Sequence, residues 1–247
     1  MPNLEWNKSY WDGAYDWKGR GEEWSKTWGG SESQWFGSLY PRLHRFLPAQ
    51  NILEIAPGFG RWTKYLLSYL NGQYKGVDMS QECIDYCKSA FPSVDNLSFF
   101  TNDGLSLSMI ENDAFDLIFS FDSLVHVELD VHETYIPQIL KKLNRKGVAF
   151  IHHSNWAASN ETCDNTHCRG ESVSADAYEE IVIRYGGHVM LQECLNWGTN
   201  KLIDAFTLFC RRDRERLLPT IRIENPEFMH EAKIIREVHA KYCGRTL

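Results

Sequence analysis

The chain has 247 residues, 43% of them hydrophobic, and a formal net charge of −7. That apolar content suffices for one substantial core, and the acidic balance argues against a polyanion partner such as nucleic acid. Seven cysteines, scattered and odd in number, look like reduced thiols rather than a disulfide framework.

The opening Met1-Pro2-Asn3-Leu4-Glu5-Trp6 lacks the basic and apolar regions of a signal peptide, and no apolar run approaches a membrane span. A cytoplasmic protein without membrane insertion is therefore expected. Residues 1–48 hold Trp6, Trp11, Trp17, Trp24, Trp28 and Trp35, with glycines that break any long helix, and read as a cap or lid. A core over 49–212 follows, then a helical extension over 213–247 containing a surface helix between Pro226 and Tyr242.

Within the core, apolar runs predict strands at about 51–56, 73–77, 97–101, 115–121 and 147–153. Helices are predicted at about 60–70, 80–90 and 131–143; Asn71-Gly72 closes the first and Pro92 follows the second. A polar loop from Asn155 to Glu171 leads to a helix over Ser172–Tyr185, which stops at Gly186-Gly187. The runs Val189–Asn196 and Leu202–Cys210 then form an antiparallel pair across a short turn. The whole is an α/β pattern: a doubly wound, mostly parallel seven-stranded sheet ending in an antiparallel hairpin.

The most informative segment is Ile52-Leu53-Glu54-Ile55-Ala56-Pro57-Gly58-Phe59-Gly60, followed at a strand's interval by Gly76-Val77-Asp78. An apolar strand ends at Ala56, two glycines allow a tight turn beside a ligand, and Asp78 ends a second strand where a carboxylate can accept both ribose hydroxyls. A dinucleotide fingerprint needs a third glycine where Thr63 stands. The spacing Glu54-x-Ala56-x-Gly58-x-Gly60 instead resembles the first motif of class I S-adenosylmethionine-dependent methyltransferases, with alanine at the first glycine position.

The resemblance implies S-adenosylmethionine as cofactor and a set of contacts for it. Gly58, Phe59 and Gly60 would face the methionyl carboxylate, Glu54 would support the turn or reach the amino group through water, and Met79 would wall the adenine. Asn102-Asp103-Gly104, at the end of the third strand, matches the position where an acid accepts the adenine amino group. Phe121 and Asp122, ending the fourth strand, would face the methyl group.

Methyl transfer mainly requires alignment, and a hydroxyl acceptor also benefits from a base. His126, just beyond the fourth strand, is the first candidate. His153 is the second, because alternation sends His152 and His153 to opposite sides of the fifth strand and one of them should face the cleft. Trp28, Gln34, Trp35, Asn155 and Arg169 are candidates for acceptor binding. Cys163, His167 and Cys168 lack the fourth partner a closed zinc site needs, and although Asp122 and Glu128 are the acids a metal-dependent variant would use, no metal is required.

The C-terminal half looks like that of bacterial methyltransferases associated with sugars and surface polysaccharides. This implies O-methylation of a sugar, glycan or sugar-linked phosphate group, a small-molecule or glycan partner, and a homo-oligomer as one possibility. Methylation of a small amine, or cofactor binding without turnover, are the alternatives.

Overall fold

The computed structural model describes residues 3–91, 96–159, 165 and 168–244. Pro92, Cys163 and His167 lie outside the described residues. The sheet is built from β1 (Ala49–Ile55), β2 (Leu70–Asp78), β3 (Leu97–Thr101), β4 (Phe115–Ser120), β5 (Leu143–Ser154), β6 (Gly187–Leu195), β7 (Asp204–Arg211) and β8 (Ile221–Asn225). Their order across the sheet is β3-β2-β1-β4-β5-β7-β6-β8. The first five run parallel, whereas β7 is inserted antiparallel between β5 and β6.

There are thus eight strands where seven were expected. The charged tail read as helical contributes Ile221-Arg222-Ile223-Glu224-Asn225, whose alternation suits an edge strand, and it pairs parallel to β6. The tail's helix follows at Phe228–Glu237. The first core helix is also shorter than its periodicity suggests, Thr63–Leu67. The chain is captured early by β1, with the Ala49 amide donating to the Tyr69 carbonyl and Ala49 pairing with Leu70.

Two apolar layers flank the sheet. On one face, Ile52, Tyr74, Leu117, Phe119 and Phe150 meet Trp28, Trp35 and Leu39 from the N-terminal segment, together with Phe228 and Ile235 from the last helix. On the other face, Leu53, Ile118 and Ile151 meet Ile136 and Ile139 of the helix Leu129–Lys142 and Ile181 of the helix Ala175–Arg184. Both faces are covered, as parallel strands apolar on both sides require. The carboxyl ends of β1, β2 and β4 are left to the N-terminal segment, and a cavity lies there.

Candidate active site

The turn after β1 is shaped by backbone conformations that favour glycine. Gly58 and Gly60 take φ of +56° and +73°, and Ala56 is left-handed too, at +57°. A left-handed alanine is strained by about 1 kcal/mol, and here the Ser123 hydroxyl donates to the Ala56 carbonyl while the Ala56 amide donates to the Val77 carbonyl. A Cβ on Gly58 would stand 3.2 Å from the Trp17 ring, and one on Gly60 would stand 2.4 Å from Phe91. Phe59 is stacked between Trp17 and Tyr86, with centroids 4.8 Å and 4.1 Å away.

Asp78 closes β2 beside this turn. One carboxylate oxygen accepts the Gly58 amide at 3.0 Å and the other the Ser80 amide at 2.9 Å. Burial pushes its pKa up to about 6 against the pull of those amides, with Asp12 adding to the rise. A carboxylate offers about four acceptor positions, so Asp78 keeps capacity for further hydroxyl donors. Ala56, Gly58, Phe59, Asp78, Met79, Phe121 and Asp122 all line one cavity.

Glu54 does not line it. Its carboxylate is buried beneath the turn, where it accepts from Thr63 at 2.7 Å and from the Tyr74 hydroxyl, and burial raises its pKa to about 7. It thereby ties β1 to β2 and to the helix Thr63–Leu67. Asn102, Asp103 and Gly104 also lie outside the cavity. Asp103 turns its carboxylate onto its own loop, accepting the amides of Leu105 and Ser106 at 2.9 and 2.7 Å; these amides hold its pKa low. Asn102 donates to the Ser106 carbonyl and the Tyr135 hydroxyl. Gly104 is covered by Leu4, whose Cδ1 would lie 2.7 Å from an added Cβ.

Asp122 has a partner that the sequence reading did not single out. Arg61, buried just past the glycine turn, donates to Asp122 at 2.8 Å and to the Ser25 hydroxyl at 3.2 Å. Phe121 meets Trp62 edge-on at 5.3 Å. His126 reaches both this cavity and an adjoining chamber. With its Nδ1 donating to the Cys168 carbonyl at 2.9 Å, its Nε2 carries the lone pair. Burial, followed by the Arg169 charge, depresses its pKa to about 4.

His153 is not at the cleft. It is fully buried, stacked on Tyr178 at 3.8 Å, with Nδ1 against the Ser154 carbonyl and Nε2 against Thr207. His152, on the opposite side of β5, packs on Phe121 and Trp197, but it too is fully buried and lines neither cavity nor chamber.

The acceptor candidates divide in the same way. Trp28 and Trp35 are core: Trp28 packs on Trp197 and Phe228, and Trp35 stacks on Tyr65. Gln34 is fully buried and lines neither cavity. Asn155 is spent on structure, donating to the Leu202 carbonyl and accepting the Ala175 amide. Only Arg169 lines the chamber, while bound through two nitrogens to Asp204.

The chamber's other walls come from residues whose part was not foreseen individually. Trp6, Tyr10, Trp11, Tyr15 and Trp24 descend from the N-terminal segment, and Trp197 rises from the β6–β7 turn. That segment is docked by specific bonds: Asn7 donates to the His126 carbonyl at 2.8 Å, and Asp12 accepts from Ser80 and the Gln81 amide at the start of the helix Gln81–Ala90. Among the described residues no group of three or more His, Cys, Asp or Glu gathers to hold a metal ion, and no helix is long and apolar enough to cross a membrane.

The residues present fit an adenosyl cofactor. Asp78 retains acceptor capacity for a ribose, the turn at 56–60 leaves no room for larger side chains at its glycines, and Arg61 and Arg20 provide cations for a carboxylate.

Comparison with known proteins agrees. Residues 52–147 match the family model of a methyltransferase domain. No curated protein matches the chain. Among solved structures, the PH0226 protein of Pyrococcus horikoshii OT3 is similar with a TM-score of 0.56 at 18% identity, over 73% of this chain and 90% of that one. A DhpI–SAH complex gives 0.55 at 18% identity, over 84% and 96%. The N-methyltransferase NodS of Bradyrhizobium japonicum WM9 gives 0.53 at 18%, over 70% and 94%. These likenesses are of fold. Residues 52–147 thus match a methyltransferase domain, and the chain has the fold of S-adenosylmethionine-dependent methyltransferases.

Proposed function

We propose that the enzyme methylates a hydroxyl of a sugar or a similarly polyhydroxylated small acceptor, whether free, in a glycan or linked to phosphate, and that it does so in the cytoplasm. The observation that carries this reading is the chamber adjoining the cofactor cavity. The two spaces share Trp11, Trp24, Asp122 and His126, so an acceptor held in one faces a methyl group held in the other. Flat aromatic walls suit sugar faces, while Glu23 and Arg169 supply an acceptor and a donor for hydroxyls.

When bound, S-adenosylmethionine supplies an electrophilic methyl carbon; the chain's own work is alignment and proton removal. Asp78 is assigned to the ribose, the 58–60 turn with Arg61 to the methionyl carboxylate, and Phe121 with Asp122 to the sulfonium region. His126 Nε2 takes the acceptor's hydroxyl proton. Residues 1–48 act as the lid that excludes water.

A second reading has its own support. One carboxylate oxygen of Glu23 is buried without a hydrogen-bond partner among aromatic rings, while the other accepts from Tyr15. Such a setting also favours an ammonium group, which would make the acceptor a small amine. The test is a screen of sugars, sugar phosphates and small amines with methyl-labelled S-adenosylmethionine, each product being located by mass spectrometry. Labelled sugar supports the first reading and labelled amine the second. Donor uptake with no labelled product from any class would favour a binding protein.

A further inference from the structure

Asp122 adopts φ of +60°, a conformation that a non-glycine residue holds only when its surroundings fix it. Its amide donates to His152 Nδ1 at 3.1 Å. A ring nitrogen that accepts carries no proton, so in the neutral imidazole the hydrogen sits on Nε2, where Asp204 Oδ2 lies 3.2 Å away. Asp204 is itself clamped by Arg169, Nε to Oδ1 and Nη2 to Oδ2, both at 2.8 Å. His152 and Asp204 are fully buried and Arg169 nearly so.

The same arginine controls the other site residue through its neighbour. Cys168 is left-handed, at +50°, and presents its carbonyl to His126 Nδ1. Arg169 is pinned on its backbone by Asn165, which accepts its amide and donates to its carbonyl, and Gly170 bonds back to the Val125 carbonyl. One buried ion pair therefore anchors both sides of the segment 122–126.

We propose that His152, backed by Asp204 and Arg169, is a positioning residue for methyl transfer. It fixes the Asp122 backbone so that the carboxylate meets Arg61 at the junction of cavity and chamber. The proposal rests on the reading above, in which Asp122 and His126 stand where donor and acceptor meet. Burial and tautomer are the basis of the argument: an imidazole held as the Nε2–H form offers the Asp122 amide an acceptor that no water replaces.

The test uses the full chain. Nitrogen-15 imidazole spectra should show His152 bare at Nδ1 and protonated at Nε2, with the Asp122 amide slow to exchange. Calorimetric titration with S-adenosylmethionine should find His152→Asn, which keeps an acceptor near the Nδ1 position, within about threefold of the parent. His152→Phe, which fills the space without an acceptor, should bind about tenfold more weakly. An Nδ1–H tautomer, or equal affinities for parent and His152→Phe, overturns the proposal. So does an equal loss in both variants, which would give His152 a merely structural role. Should His152→Phe fail to fold, the parent's tautomer decides. If instead Asp122→Asn and His126→Gln leave donor uptake and methyl transfer unchanged, the site reading itself falls, whatever the tautomer.

Discussion

Arg61 and Asp122 are joined at 2.8 Å with their side chains only 5% and 9% exposed, and the guanidinium lies over Trp62 at 4.6 Å and Trp24 at 5.0 Å. A buried pair contributes little net stability, but breaking it strands a charge. Asp122→Ala should therefore lower unfolding free energy in urea by about 3 kcal/mol. The double variant Arg61→Met, Asp122→Ala should recover part of that loss. A single variant as stable as the parent would contradict the pairing.

The titration of two groups should separate in a pH profile. His126, held down at about 4, is already neutral through the weakly acidic range, so kcat should persist until pH falls toward 4. Asp78, pushed up to about 6, loses charge and acceptor capacity when it takes up a proton, so donor KM should rise as pH falls below about 6. His126→Gln should lower kcat about a hundredfold while leaving donor KM within about threefold. An acidic limb of kcat near 6.5 that survives in His126→Gln would remove the histidine from the base role.

Trp17 roofs the glycine turn, its ring parallel to Phe59 within 3° and its indole nitrogen donating to the Trp11 carbonyl at 3.2 Å. Trp17→Ala should weaken donor binding about tenfold by removing an aromatic wall, and should speed hydrogen exchange at the Gly58 and Gly60 amides. Calorimetry and exchange spectra check the two effects separately; unchanged values in both would deny the lid its place.

Glu54 gives a stability signature with a definite sign. Burial raises its pKa from 4.5 to about 7 in the folded protein, so the fold retains a proton there that the unfolded chain has released. Stability from this group is full at low pH and is lost as pH rises through that window. Glu54→Gln has no such proton to lose. The melting temperature of the variant minus that of the parent should therefore grow more positive from about pH 5 to about pH 8; a flat difference would contradict the buried carboxyl.

Much of the cofactor half was legible because its signals are local. The strand before Ala56, the turn at Gly58 and Gly60, and Asp78 a strand later each declare themselves within a few residues, and the structure brings Ala56, Gly58 and Asp78 to one cavity. Parity at the end of β5 was not local: alternation separates His152 from His153, but only the packing across the sheet puts His152 beside Phe121 and Trp197 and His153 beside Tyr178. The Asp103 carboxylate accepts two amides of its own loop, a local arrangement that an Asp-Gly turn permits and that the order of the strands does not announce. The chamber was hidden for a third reason, since Asn7 meets the His126 carbonyl across 119 positions and no periodicity encodes such a meeting. Of the tryptophans, those nearest the core in sequence proved to be its packing, while the earlier ones line the cavities.

The placement of β7 between β5 and β6 has a consequence for how the enzyme is made. During synthesis the parallel strands β1 to β5 emerge first, yet β5 and β6 have no central partner until residue 211 has left the ribosome. Until then two strand margins stand open to unwanted association, and the carboxylate that steadies His152 has not arrived, because Asp204 is the first residue of the inserted strand. Completion of the sheet and the arrival of Asp204 beside His152 are thus a single late event, so a nascent or truncated chain can own the whole glycine turn and still lack that buried carboxylate.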